Sequence, residues 1–367
     1  MSANHVLACT ACAHQHEPSI SLLACHACGA PLTVSYLDSP DGESPRLPLA
    51  RPDAMITLGE GYTPQVELPG IATELGVKKL WAKLEFLAPT GSFKDRGSVV
   101  LISMAKEAGV TDFIEDSSGN AGASLSAYAA AAGLNAHVFA PASAGQGKKD
   151  QIKVFGAQLH EIDGPRQAST DAAEAFVAEK GLPWLSHNLS PYFMEGMKAF
   201  AYEVRNSPAA SVEHIVFPVG NGSLIGGAFK GFSEMLEAGE IDALPKLHAV
   251  QASAIQPIIA ELNGDALPSG TSAISVASGI SVTKPPRLKE IVEFVRCSYG
   301  RGAAVDEDKI LAWQRRLAST TGIFAEATSS AAFAGLVSLI ADGVIGAGDE
   351  VLIPLTGSGL KEPLRST

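Results

Sequence analysis

Pro89-Thr90-Gly91-Ser92-Phe93-Lys94-Asp95-Arg96-Gly97 is the stretch on which the fold reading turns. It follows an apolar run at 80–87, read as a strand, and opens a helix expected over 95–108. A lysine at such a junction projects from a tight turn beside a helix N-terminus, whose amides favour anions. That is a good place for an amine that forms a Schiff base with a phosphorylated aldehyde. The same string also describes an ordinary helix start with a solvated lysine, so the segments beyond it carry the decision.

Those segments alternate. Short strands are expected at 112–116, 136–140 and 158–162, with a helix over 121–132 and the end of another at 152–156. Farther on, strands at 215–219, 247–251 and 350–355 alternate with helices over 224–238 and 326–341. Such alternation implies an α/β fold with doubly wound parallel sheets, whose ligands sit at the carboxyl ends of strands. Cys297 falls in a strand-like run at 291–298 and is expected in the core.

Three loops follow strands at that end. Ser117-Ser118-Gly119-Asn120-Ala121 exposes backbone amides at a helix start, which suits a carboxylate, and Asn120 adds a side-chain amide. Gly220-Asn221-Gly222-Ser223-Leu224 joins a strand to a helix with little side-chain bulk, as a phosphate cradle requires. It lacks GxGxxG spacing, which disfavours a dinucleotide, and it is not GxxxxGK[ST]; a monophosphate fits it best. Thr356 sits in Thr356-Gly357-Ser358-Gly359 after the last strand, where a hydroxyl can bond a pyridine nitrogen without protonating it. Each loop, taken singly, is also a plain glycine turn or helix cap. No GxSxG elbow and no HExxH occurs, so serine-hydrolase and zincin chemistry find no support.

The chain has 367 residues and a formal charge of −12, enough length for two α/β domains and a small appendage. An acidic chain repels phosphate backbones and anionic membranes, so neither nucleic acid nor membrane is an expected partner. Residues 1–5 lack a basic region leading into an apolar core; no signal peptide is expected, and the cytoplasm is the expected compartment. Cys9-x2-Cys12 and Cys25-x2-Cys28 have the spacing of a four-cysteine zinc ribbon, a closed structural site. His5, His14, His16 and His26 lie nearby as substitute ligands. A linker rich in Pro, Asp and Ser is expected over 38–52. The expected division is 1–45 for ribbon and linker, 46–186 for the domain with Lys94, and 187–367 for the domain with the glycine loop.

Together these strings resemble the fold-type II family of pyridoxal-phosphate enzymes, and within it the threonine synthases. Gly59-Glu60-Gly61-Tyr62-Thr63-Pro64, Pro191-Tyr192 with Glu195-Gly196, and Gly322-Ile323-Phe324-Ala325-Glu326 add to the match, which runs from Gly59 onward. The resemblance implies pyridoxal 5'-phosphate as cofactor, with Lys94 as its Schiff-base lysine and proton shuttle. It implies Asn120 on the cofactor's ring oxygen, residues 220–224 on its phosphate and Thr356 at its ring nitrogen. Ser117, Ser118, Gly119 and Ala121 would grip the carboxylate of a small amino-acid substrate. The implied reaction is γ-elimination and β-addition of water on O-phosphohomoserine, and the implied assembly is a homodimer. One position departs from the pattern. Phe193 stands where these synthases usually place an arginine for the substrate phosphate, and a phenyl ring cannot pair with a dianion. Lys148, Lys149 and Lys153 are candidate replacements. The alternative is a β-eliminating ammonia-lyase acting on threonine, serine or a related amino acid.

Overall fold

The computed structural model describes residues 4–117, 119–164, 166–266 and 275–362. Ser118, expected in the carboxylate loop, lies outside the described residues. The contacts divide the chain into two compact units: 1–40, 45–60 and 88–197 form one, and 41–44, 61–87 and 198–367 the other.

The first unit holds two small sheets. Gln15–His16, His5–Cys9 and Leu32–Tyr36 form an antiparallel sheet with His5–Cys9 in the middle. Asp112–Glu115, Asn135–Pro141 and Gln158–Ile162 pair in parallel in that order. Helices Asp95–Glu107, Asn120–Ala132, Gln146–Val154 and Arg166–Lys180 connect or flank these strands. Asn120–Ala132 is rich in alanine, the strongest helix former, and stops at Gly133, which takes the left-handed conformation (φ 68°) and bonds back to Ala129 and Ala130.

Helix Pro191–Met197 packs tightly on the start of Asp95–Glu107. A Cβ on Gly196 would overlap the carbonyl of Arg96, and one on Gly97 would stand 2.7 Å from three atoms of the Phe193 ring. The antiparallel sheet reaches the same helix. Tyr36 donates its hydroxyl to Glu195 at 2.7 Å, and His5 meets Tyr192 edge-on with centroids 5.7 Å apart.

The second unit is built on one sheet of six strands, ordered Gly302–Val305, Lys246–Ala252, His214–Pro218, Glu350–Pro354, Lys79–Lys83 and Gln65–Glu67. All pairings are parallel except the last, an antiparallel edge. The inner strands are buried along almost their whole length, as in sheets covered on both faces. Helix Ala327–Ala341 lies on this sheet, with Phe333 stacked on Trp313 and Gly335 admitting Val250.

His214 and His248, both fully buried on neighbouring strands, stack in parallel with Nδ1 of the first 2.8 Å from Nε2 of the second. The Arg301 amide donates to His248 Nδ1, so Nε2 carries the hydrogen and donates to His214. Burial and then the neighbouring His214 hold His248 down to about 3, and burial lowers His214 too.

Three expectations need correction. The run at 80–87 is not one strand: Lys79–Lys83 is the strand, and Glu85–Leu87 is a single 3-10 turn. Residues 291–298 are not strand-like; Leu288–Cys297 is an amphipathic helix burying Ile291, Val292 and Val295. Cys297 is therefore exposed rather than core, and its thiol donates to Glu293 one turn back.

The histidine pair sets an acid limit. The unfolded chain takes protons near 6.5, whereas native His248 stays neutral to about 3, so its contribution is complete above 6.5 and is lost as pH falls. Urea unfolding should lose stability between pH 6.5 and 4.5 at up to about 1.4 kcal/mol per pH unit for this residue, and His248→Gln should flatten that slope. Gly196→Ala forces two backbones apart and should cost at least about 2 kcal/mol in the same measurement.

Candidate active site

Lys94 is set by a clamped turn. Gly91 takes φ 80° and bonds back to Ala88, a conformation costly for any other residue. Asp95, without solvent exposure, accepts the Thr90 amide at 2.7 Å, the Thr90 hydroxyl at 2.6 Å and the Ser124 hydroxyl at 2.5 Å. Gln151 donates to the Thr90 carbonyl from another helix. Lys94 follows as the helix cap, half-buried, its Nζ 4.5 Å from the Phe93 ring centroid and 5.8 Å from that of Phe193. Phe193, the departure noted in the sequence, is fully buried.

A pair that sequence reasoning missed meets the same Phe193 ring as Lys94. Glu115, fully buried at the end of its strand, sits 2.6 Å from His187 Nδ1 and also accepts the His187 amide at 3.3 Å. Burial, reinforced by Asp116, pushes Glu115 well above the usual carboxylate range. Burial and then the Lys94 charge push His187 well below the usual imidazole value. Both shifts favour neutral partners. The available signal was position, since Glu115 ends a strand immediately before the 117–121 loop.

In that loop, the Gly119 amide donates to Ser117 Oγ at 3.2 Å, and Asn120 begins the helix with Ala121 buried behind it. Gly122 is obligatory: a Cβ there would overlap the Ser117 carbonyl. Lys149 and Lys153 both bind Glu161 at 2.8 Å and hold its carboxyl down to about 2.

The second unit carries the other predicted residues. Gly220 follows strand His214–Pro218, and a Cβ on it would lie 2.7 Å from the Gly279 carbonyl. Gly222 caps helix Ser223–Glu237 at φ 76°, with Asn221 half-buried, and Ser223 and Leu224 buried. The helix's first amides thus open beside a loop with no room for side chains, the donor arrangement a phosphate takes. After strand Glu350–Pro354, Thr356 donates to Glu326 at 3.2 Å and accepts from Ser329 at 2.9 Å. The Glu326 carboxylate fills the space that a Cβ on Gly357 would need. Sequence reasoning quoted Glu326 within a motif but assigned it no part.

The four N-terminal cysteines converge, their sulfurs all within 4.8 Å of one another. Each CxxC turns on backbone amides: Ala11 and Cys12 donate to Cys9, and Ala27 to Cys25, all at 3.4 Å. The Cys12 and Ala11 amides hold the Cys9 thiol down to about 6. His16 approaches Cys25 at 3.4 Å, while the four sulfurs by themselves supply a tetrahedral donor set.

Residues 56–357 match the family model described as "Pyridoxal-phosphate dependent enzyme". Threonine synthase of Methanosarcina acetivorans is 32% identical over 381 aligned residues, spanning 97% of this chain and 92% of that protein. Threonine synthase of Halalkalibacterium halodurans is 35% identical over 318 residues, 86% of this chain and 87% of that one. Among solved structures, maize serine racemase superposes with TM-score 0.72 at 19% identity, over 88% of this chain and 94% of that one, a likeness of fold. The chain belongs to the fold-type II family of pyridoxal-phosphate-dependent enzymes.

Proposed function

We propose that the chain is a threonine synthase, performing γ-elimination and β-addition of water on O-phosphohomoserine. The observation that supports it best is a lysine held at a helix start by buried hydrogen bonds, in a chain alignable with threonine synthases over nearly its whole length. The family's cofactor suits the residues present. The Gly220 and Gly222 backbone fits a phosphate, and the Thr356 hydroxyl, its one hydrogen turned from Glu326 and its oxygen still accepting from Ser329, would donate to a pyridine nitrogen. Asn120 would hold the ring oxygen, and Ser117, Gly119 and Ala121, with Ser118, the substrate carboxylate.

Pyridoxal phosphate, when bound, supplies an electron sink for charge developing at the substrate's α-carbon. The chain supplies proton transfer and exclusion of water. Lys94 Nζ takes the α-proton and returns it. The Phe93 and Phe193 rings, with centroids 4.5 Å and 5.8 Å from that nitrogen, flank the amine and help fix its position. Aspartate in place of Thr356 would keep the ring nitrogen cationic; a hydroxyl limits the sink, which suits elimination. The four cysteines would hold a structural zinc ion.

Phe193 favours a second reading. The groups near Lys94 include two phenyl rings and an imidazole held neutral, and Glu161 already engages Lys149 and Lys153. Such a wall suits an uncharged side chain better than a phosphate dianion, as in a β-eliminating ammonia-lyase on threonine or serine.

Three experiments test these readings. Offered separately to the protein loaded with pyridoxal phosphate, O-phosphohomoserine should give phosphate and threonine; 2-oxobutyrate from threonine alone would replace the synthase with the lyase. Lys94→Ala should remove the borohydride-sensitive visible band and cut either activity by about a thousandfold or more. The purified chain should carry about one zinc ion, and Cys12→Ser should release it on metal analysis without abolishing the visible band.

A further inference from the structure

We propose that Glu115 and His187 form a proton relay serving the oxygen at the substrate's β-carbon, a second acid–base element beside Lys94. The inference rests on the reading of Lys94 as the group that moves the α-proton, and it holds for the synthase and the lyase alike. Threonine's β-oxygen is the atom added in the first reaction and lost in the second.

The geometry is that of a held dyad. Glu115 is fixed twice by the same residue, through the ring at 2.6 Å and through the backbone amide at 3.3 Å. Only His187 retains any exposure, and the Phe193 ring meets it edge-on with centroids 5.9 Å apart. The charged groups felt by the pair are Lys94, Asp116 and Arg166, and Arg166 binds Asp116 at 3.0 Å. A buried carboxyl against an imidazole is a costly way to fill space, because an apolar pair of similar volume does so without desolvating polar groups. The chemistry also asks for a second group. One amine must take the proton from the α-carbon, and the β-oxygen needs a proton given or removed in the same turnover.

The protons balance. In elimination the Cβ–O bond breaks with its electron pair on oxygen, which takes the proton from His187 Nε2. His187 Nδ1 then takes the carboxyl proton of Glu115, and water leaves. The proton that Lys94 removed from the α-carbon returns through the imidazole to the Glu115 carboxylate and resets the pair. In hydration the direction reverses: Nε2 first passes its proton to Lys94 for return to the α-carbon while Nδ1 takes the Glu115 proton; water then bonds to the β-carbon, its proton goes to Nε2, and Nδ1 returns its own to Glu115.

The test separates the two protons. In the full-length protein loaded with pyridoxal phosphate, α-deuterium incorporation from D2O and product formation are measured with O-phosphohomoserine and with L-threonine. For Glu115→Gln and His187→Gln, exchange should stay within about threefold of wild type while product formation falls by about a hundredfold or more. Parallel loss of both, or unchanged product formation, overturns the relay and leaves the Lys94 reading intact. Absence of α-exchange in the wild-type protein overturns both. Glu115→Gln keeps the size and hydrogen-bonding shape of the carboxyl, so it decides alone where His187→Gln does not fold.

Discussion

The acceptance of three hydrogen bonds by Asp95 is the interaction on which the site depends. Thr90 gives its amide and hydroxyl, and Ser124 gives its hydroxyl from the helix that the Asn120 loop opens. Hydrogen bonds to a charged group contribute roughly 1.5–3 kcal/mol each, and a buried donor left alone costs about as much. The turn before Lys94 and the helix after the 117–121 loop are thus tied through one carboxyl. A reactive amine on a flexible tether loses rate to every unproductive orientation, and this clamp removes that freedom at the backbone.

Close backbone approach is the second constraint, and glycine is how the chain meets it. Gly196 lies against the Arg96 carbonyl, Gly97 against Phe193, Gly122 against the Ser117 carbonyl and Gly220 against the Gly279 carbonyl. These are sites of contact, where any side chain would displace main chain or a buried ring. Gly220 is itself assigned to the site from sequence and Gly122 adjoins Ala121, while Gly97 and Gly196 let helix Pro191–Met197 meet the helix that follows Lys94. The same economy appears at Gly357, whose missing Cβ is replaced by the Glu326 carboxylate that reaches Thr356.

Much of this was legible in the sequence because its signals are local. Alternating apolar runs and helical periods marked the parallel sheets, and strand–glycine–helix junctions marked Lys94, Asn120 and the 220–224 loop. The four cysteines were readable because knuckle spacing is a short-range property. Errors came where local pattern is ambiguous. Residues 291–298 alternate enough to look like a strand, yet Ile291, Val292 and Val295 also fall on one helix face, and tertiary packing chose that face. Glu115 and His187 were illegible for a different reason: 72 positions separate them, and only the fold makes them a pair. Glu326 and Thr356, 30 apart, meet for the same reason.

Within the first unit, a continuous path of contacts joins the cysteine cluster to the lysine turn. Cys9 ends the strand that starts at His5, and Leu32–Tyr36 pairs along its whole length. From the far end of that sheet, His5 and Tyr36 engage Tyr192 and Glu195 on helix Pro191–Met197. The same helix sends Phe193 to the Lys94 side chain and sets Gly196 under the Arg96 carbonyl. Two residues of one short helix, Tyr192 and Glu195, therefore answer to the sheet while two, Phe193 and Gly196, answer to the lysine turn. A helix of two turns has little stability of its own and takes its position from its neighbours. The antiparallel sheet is in this sense part of the scaffold of the Lys94 wall. Phe193 keeps its place because both faces of its helix are held.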